Sequence, residues 1–161
     1  YFTLINMAKK YVFISTPYFM PGETTINSLK TAAMSGVDVR IMIPYKSDSL
    51  LTYWCTRSYV EELLEAGVRG FRYRKGFNHS KLIIIDGLVS SVGTANMDIR
   101  SFEQNFELNM IIYDRNVSRK LATDFVNDLK GSGEISIQQW KFRPKKDKIK
   151  ESLARLFAPL L

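Results

Sequence analysis

Between Lys81 and Thr94 the sequence reads as two short apolar segments around an Asp86-Gly87-Leu88 turn. This stretch constrains the fold more than any other. Asp-Gly is a strong signal for a tight reversal, so Lys81 to Asp86 and Val89 to Thr94 are expected to pair as antiparallel strands. The rest of the chain alternates short apolar strands with helices, which is the pattern of a sheet covered on both faces. An antiparallel hairpin within such an alternation makes the sheet mixed. The expected class is therefore α/β, with a mixed β-sheet sandwiched between helices.

Periodicity and punctuation supply the other elements. Tyr1 to Lys10 reads as a helix and Tyr11 to Ser15 as a buried strand. Two prolines and a glycine make Thr16 to Gly22 a loop. Thr24 or Thr25 is the expected cap of a helix running to Met34, ended by Ser35-Gly36. Val37 to Pro44 alternates, with Val37, Val39, Ile41 and Ile43 on one face, as a strand does. Arg57 to Ala66 carries Val60, Leu63 and Leu64 at helical spacing, and Gly70 to Arg74 is a short strand. Tyr53 and Trp54 lie in a segment without clear periodicity and are candidates for contact with a membrane interface. Phe106 to Tyr113 is expected as a strand, and Asp114 as the cap of a helix over Asn116 to Leu129. Gly131-Ser132-Gly133 breaks the chain before a last strand at Ile135 to Gln138. After Pro144, Ile149, Leu153 and Leu156 share one face of a helix from Lys145 to Phe157. The expected domains are a catalytic unit over 1–144 and a basic amphipathic helix over 145–161 packed on it.

Composition narrows the function. The formal net charge is +7, and much of the excess falls late, in Lys141, Arg143, Lys145, Lys146, Lys148 and Lys150. A basic surface favours polyanions: nucleic acid, anionic lipid or phosphorylated substrates. One cysteine and one histidine cannot build a metal cluster, so no metal and no cofactor is expected. The longest aliphatic run, Leu82 to Ile85, is far short of the ~20 residues of a membrane span. The first residue is Tyr1, with no signal-peptide features before it, so a piece of a longer protein is expected.

His79 is the only histidine. A period of two puts it on the same side as Lys81, and Thr94 and Asn96 form a second such pair at the end of the returning strand. Two antiparallel neighbours then present an imidazole, an ammonium, a hydroxyl and an amide around one point. That is an anion site with a nucleophile or base in it: Lys81 supplies charge, Thr94 and Asn96 supply donors, and His79 attacks phosphorus or moves a proton. Glu107, alternating with Phe106 and Leu108 on the next strand, is a candidate partner for the far imidazole nitrogen, fixing the tautomer of His79; an ordinary exposed glutamate is the alternative. Asp86 points the opposite way from Lys81, so its expected role is holding the backbone of the site. Asp98, Arg100 and Ser101 either reach the site or form a turn and cap leading to the next strand. Tyr18 and Phe19 either line an entrance for acyl chains or headgroup, or pack on the core.

The spacing His79-x-Lys81-x4-Asp86-x6-Gly93-Thr94-x-Asn96 resembles the signature of the phospholipase D superfamily. Thr16 to Pro21, Ala33 to Pro44, Leu63 to Gly67, Asn96 to Phe102, Asn105 to Glu107 and the closing Arg155 to Leu161 are similar to the C-terminal half of bacterial cardiolipin synthases. The resemblance implies a phospholipase D-like half-domain whose site is completed by a second half carrying another such motif. It implies phosphatidyl transfer between two phosphatidylglycerols through a phosphatidyl-histidine, with release of glycerol and with no metal. Carried onto this chain, His79, Lys81 and Glu107 are the catalytic residues, and Lys81, Thr94 and Asn96 hold phosphate. Asp86 and Gly93 support the site. The partners implied are an anionic phospholipid, a membrane surface, and a second half-domain from the same full-length chain or a homodimer. No nucleic acid is expected. The location implied is the cell membrane, peripheral through this domain and anchored by sequence outside it. Two rivals stand beside this reading: a nuclease or other phosphodiesterase of the same superfamily, and a non-catalytic half kept for dimerisation or lipid binding.

Overall fold

The layer arrangement follows from strands that are apolar on both sides. In a computed structural model describing residues 1–161, the chain runs α1 (Phe2–Met7), β1 (Tyr11–Ser15), β2 (Phe19–Met20), α2 (Glu23–Met34), β3 (Asp38–Pro44), α3 (Leu50–Ser58), α4 (Val60–Glu65), β4 (Arg69–Tyr73), β5 (Leu82–Ile85) and β6 (Val89–Gly93). It continues β7 (Met97–Asp98), α5 (Ile99–Glu103), β8 (Asn109–Ile112), α6 (Arg115–Leu129), β9 (Ser132–Glu134), α7 (Ile137–Lys141) and α8 (Lys145–Arg155). Seven strands form one sheet in the order β8-β6-β5-β1-β3-β4-β9, and β2 and β7 pair separately. Strands β1, β3 and β4 are parallel, while β5, β6, β8 and β9 run antiparallel to their neighbours. The sheet is mixed and sandwiched between helices.

Alternation sends Val12, Ile14, Val39, Ile41, Ile43, Ile83 and Ile85 to one face, where they join Leu29, Cys55, Leu63 and Trp140 in the larger core. Phe13, Met42, Phe71 and Ile84 point to the other face, against Ala122 and Phe125 of α6. The rings of Phe13 and Phe125 stack at 4.9 Å. Because β1, β3 and β4 are parallel, Ser15, Pro44 and Tyr73 end along one rim of the sheet. Strand β5 starts at that rim, with Leu82 opposite Ser15. Such a rim is where sites assemble in parallel α/β sheets.

Several expectations need correction. Residues 135–138 are not a strand: the strand is Ser132–Glu134, and Ser136 caps the helix Ile137–Lys141. Of the Gly131-Ser132-Gly133 that read as a chain break, Ser132 and Gly133 sit inside β9 because pairing with β4 overrides the local signal. The expected helix over 57–66 is two helices, interrupted at Tyr59, and the first begins at Leu50. Its amphipathicity was hidden because the buried face of α3 includes Thr56 and Arg57. Tyr53 and Trp54 lie on this helix with their rings 5.4 Å from the Arg57 guanidinium. Gly22, not Thr24 or Thr25, caps α2. Strand β8 begins only at Asn109, leaving Phe106 and Leu108 exposed.

The terminal helix is turned over relative to its expected orientation. Ile149, Leu153 and Leu156 face solvent, and Glu151 and Ala154 are buried. The reason is electrostatic. Arg57, buried in α3, donates to Glu151 at 2.9 Å, and Arg143 reaches the same carboxylate at 2.6 Å. Buried guanidinium groups left unpaired cost several kcal/mol each, on the order of 3–5 kcal/mol, more than exposing a few aliphatic side chains. No helix of the chain is long and apolar enough to cross a membrane.

Candidate active site

The site is built at the open end of the β5–β6 hairpin. Gly93 donates its backbone N–H to the Lys81 carbonyl at 3.3 Å, which sets Lys81 beside Thr94. Residues 77–81 precede β5 without strand pairing of their own. They are held locally: the Ser80 N–H donates to Asn78 Oδ1 at 2.9 Å, and the Ser80 and Ser15 hydroxyls meet at 2.7 Å. The Lys81 ammonium donates to the His79 carbonyl at 3.0 Å. Imidazole and ammonium are thus carried by one short turn of backbone at the rim. Partial burial holds the Lys81 pKa below the ordinary lysine value, against the opposing pull of Glu107, Asp98 and Asp48.

His79 is exposed. Its ring lies 5.5 Å from that of Phe77 and 6.3 Å, edge-on, from that of Tyr18. Tyr18 is brought there by the small β2–β7 pairing and by Thr16, whose hydroxyl donates to the Tyr18 carbonyl at 2.8 Å and accepts from the Met97 N–H at 3.2 Å. On the other wall, the Asn96 backbone N–H and Nδ2 both approach the Ser101 hydroxyl, at 3.2 and 3.4 Å. The Asn96 Oδ1 is buried without a partner. Asp98 and Ser101 form the turn and cap: the buried Asp98 carboxylate accepts from the Ser101 N–H at 2.6 Å. Burial raises the Asp98 pKa. Arg100 stays exposed.

Glu107 is not on the imidazole. It accepts from the Thr94 hydroxyl and from Asn105 Nδ2. The Thr94 bond is the main reason its pKa lies below the ordinary glutamate value. Strand alternation does not govern Glu107, because residues 106–108 lie before β8. Thr94 accepts in turn from the Leu108 N–H at 2.9 Å, so its proton is directed at Glu107 rather than at the open site. The carboxylate therefore meets the site through Thr94.

Asp86 does not touch the backbone of the site. It sits at the far end of β5, five residues and about 16 Å from Lys81 at a strand's ~3.3 Å rise. Its carboxylate accepts the N–H groups of Lys9, Lys10 and Tyr11, each at 2.8 Å. Its φ of 55° places it in the left-handed region, which aspartate tolerates better than most residues. Gly93 is required by close approach: a Cβ there would collide with the Asn109 side-chain oxygen and the Leu108 carbonyl.

One side chain at the rim escaped sequence reasoning. Tyr18 donates its hydroxyl to Asp48 at 2.6 Å. Asp48 sits between Ser47 and Ser49, and Ser49 caps α3 by accepting from the Thr52 N–H. The signal was the Ser-Asp-Ser cluster before a helix whose apolar periodicity is weak. No group of three or more His, Cys, Asp or Glu side chains converges in the chain.

An exposed imidazole, a partly desolvated ammonium and an amide with an unpartnered oxygen thus lie along the rim of a mixed sheet. Solved structures share this fold. The chain matches the phospholipase D family member Nuc from Salmonella typhimurium with a TM-score of 0.71 at 18% identity, covering 83% of this chain and 87% of that one. It matches phosphatidylserine synthase from Haemophilus influenzae with a TM-score of 0.74 at 16% identity, over 99% of this chain and 41% of that one. The family described as "Cardiolipin synthase, PLD-like domain" matches residues 1–129, and the chain belongs to it. Similar relatives include a cardiolipin synthase of a Geobacillus species, 46% identical over the whole chain and 32% of the relative, and cardiolipin synthase 2 of Bacillus anthracis, 47% identical over the whole chain and 31% of the relative. The chain spans about a third of the length of these curated relatives.

Proposed function

We propose that this chain supplies one of two His-Lys-Asp halves of a phosphatidyltransferase that makes cardiolipin from two phosphatidylglycerols and releases glycerol. The observation that carries the reading is an imidazole exposed at the rim beside Lys81, with Thr94, Asn96 and Glu107 on the adjoining hairpin end. A single imidazole serves as nucleophile or as acid and base, but not as both in the same step. The second half, from the same full-length chain or from a second copy, supplies the other histidine.

In the first step one histidine attacks phosphorus, the bond to the glycerol oxygen breaks, and the other histidine gives that oxygen its proton. In the second step a hydroxyl of the second lipid attacks the phosphatidyl-histidine and gives its proton to the same acid–base histidine. The phosphorus–nitrogen bond then breaks and frees the nucleophile. Lys81 opposes the negative charge that builds on the phosphoryl oxygens. Asn96, whose Nδ2 lies at the Ser101 hydroxyl on the adjoining wall, is the second candidate donor to those oxygens. Glu107 acts through Thr94, setting the direction of that hydroxyl. The setting is the membrane surface, where the anionic substrate lies and which a basic chain favours.

The test is to incubate the intact parent protein and its His79→Ala form with labelled phosphatidylglycerol and to separate the lipids. Cardiolipin and glycerol from the unmodified protein, and neither from the variant, support the reading. Phosphatidic acid as the sole product makes the protein a hydrolase. Full activity in His79→Ala overturns the role given to this site.

A further inference from the structure

The rim carries a carboxylate that the transfer chemistry leaves without a task. Asp48 Oδ2 accepts from Tyr18, whose ring stands edge-on to His79, and Oδ1 accepts from the Ser47 hydroxyl at 3.2 Å. The loop around it is fixed on both sides: the Ser47 and Thr52 hydroxyls meet at 3.1 Å, and Ser49 caps α3. Asp48 itself is exposed. Each of its oxygens has a lone pair left over after the bonds described.

A fixed negative charge beside a phosphate-binding lysine works against an anionic substrate unless the substrate also brings hydrogen-bond donors to it. The headgroup of phosphatidylglycerol ends in two adjacent hydroxyls, both donors. A carboxylate accepting two hydroxyls of a vicinal diol forms charge-assisted bonds that a hydroxyl-free headgroup cannot make. Asp48 is suited to that task because the Tyr18 bond holds its pKa below the ordinary aspartate value, so it remains ionised and acceptor-only near neutrality. Tyr18 then has two contacts, one with the carboxylate and one with the imidazole, and ties the headgroup position to the reacting histidine.

We propose that Asp48, oriented by Tyr18, is the subsite for the vicinal hydroxyls of a glycerol headgroup, and so sets preference for phosphatidylglycerol over lipids with hydroxyl-free headgroups. This rests on the transferase reading above and names which part of the substrate the rim recognises.

The experiment compares phosphatidylglycerol with phosphatidylpropanol as donor lipids for the intact parent protein, following headgroup release. The unmodified protein prefers phosphatidylglycerol. In Asp48→Ala the preference narrows about tenfold, the worth of one charged hydrogen bond. Asp48→Asn, which keeps an acceptor oxygen, narrows it less, and Tyr18→Phe, which keeps the ring beside His79, lies between. An equal fall on both lipids, or no change, overturns the subsite. Should the unmodified protein turn over neither lipid, the transferase reading fails, and calorimetry on the same proteins reads the subsite alone. Tighter binding of glycerophosphoglycerol than of glycerophosphopropanol, lost in Asp48→Ala, supports it. Equal binding of the two compounds by the unmodified protein overturns it.

Discussion

At the Lys81 end of β5 the motif leaves polar groups open, whereas at the Asp86 end one carboxylate satisfies three backbone N–H groups. His79 is exposed between two aromatic rings, Lys81 is partly desolvated, and Asn96 keeps a buried oxygen without a partner. About 16 Å away along the same strand, one carboxylate accepts three backbone N–H groups and closes the link from α1 to β1. Three residues spaced as a single signature therefore divide into two kinds. The open end holds groups that the fold leaves exposed or unpaired, and the closed end holds the strand in register so that the open end stays in place. Substitutions at the two ends should separate activity from stability.

The largest effect is expected at His79. In the intact parent protein, His79→Ala lowers transfer by about 10³-fold or more. The thermal midpoint stays within about 1 °C, because surface substitutions of this kind shift stability little. A fall in the midpoint of many degrees would mean that the open end also carries structure. Asp86→Ala reverses the pattern. It strands three N–H groups and places alanine at positive φ, costing about 2–4 kcal/mol, while the activity of the molecules that remain folded stays within about threefold. Asp86→Asn costs less, since an oxygen can still take the Lys10 and Tyr11 bonds and asparagine tolerates the left-handed backbone. Chemical denaturation with parallel assays reads both, and an Asp86→Ala protein that is stable but inactive would erase the distinction between the two ends.

Gly93 sits between these extremes. Any Cβ there must push β8 or the Leu108 carbonyl aside, and overpacking of this kind costs about 1–3 kcal/mol. Because Leu108 also bonds to Thr94, Gly93→Ala should lower activity per folded molecule as well as stability. Loss of stability alone would show that the position of Thr94 does not matter to the reaction.

Much of this was legible in the sequence because it rests on local signals. The Asp86-Gly87 turn fixes the hairpin, the two-residue period sorts β1, β3 and β5 between the two cores, and Asp114 caps α6 as its position promises, accepting from the Val117 N–H at 2.8 Å. What was not legible depends on partners distant in sequence. The orientation of α8 is decided by Arg57, ninety-four residues from Glu151, and outweighs the apolar stripe that the local pattern favoured. Helix α3 was missed because its buried face contains an arginine made acceptable only by that carboxylate. At the site, the motif placed His79 and Lys81 together, yet spacing could not reveal Asp48, which reaches the rim only through Tyr18. Nor could it place Glu107, which lies in irregular backbone where alternation says nothing.

The smallest expected effect concerns that glutamate. Its folded-state pKa lies below the ordinary value of 4.5, first because of the Thr94 hydroxyl and then through Asn105, Ser101 and Lys81. A depressed carboxyl pKa means that the interaction supports folding above the unfolded-state value and that this support is lost as pH falls through the folded-state value. The window is therefore acidic, below about 4.5, and the contribution is small because the carboxylate is largely open to solvent. In Thr94→Val the Glu107 titration followed by NMR should move up toward 4.5, and the dependence of stability on pH in that acidic window should flatten slightly. Thr94→Ser should leave both as they are. If Glu107 instead titrates at its ordinary value in the unmodified protein, the Thr94 bond does not persist in solution. The carboxylate would then be free to reach the imidazole, and the open end of the hairpin would have one unmet group more than the structure gives it.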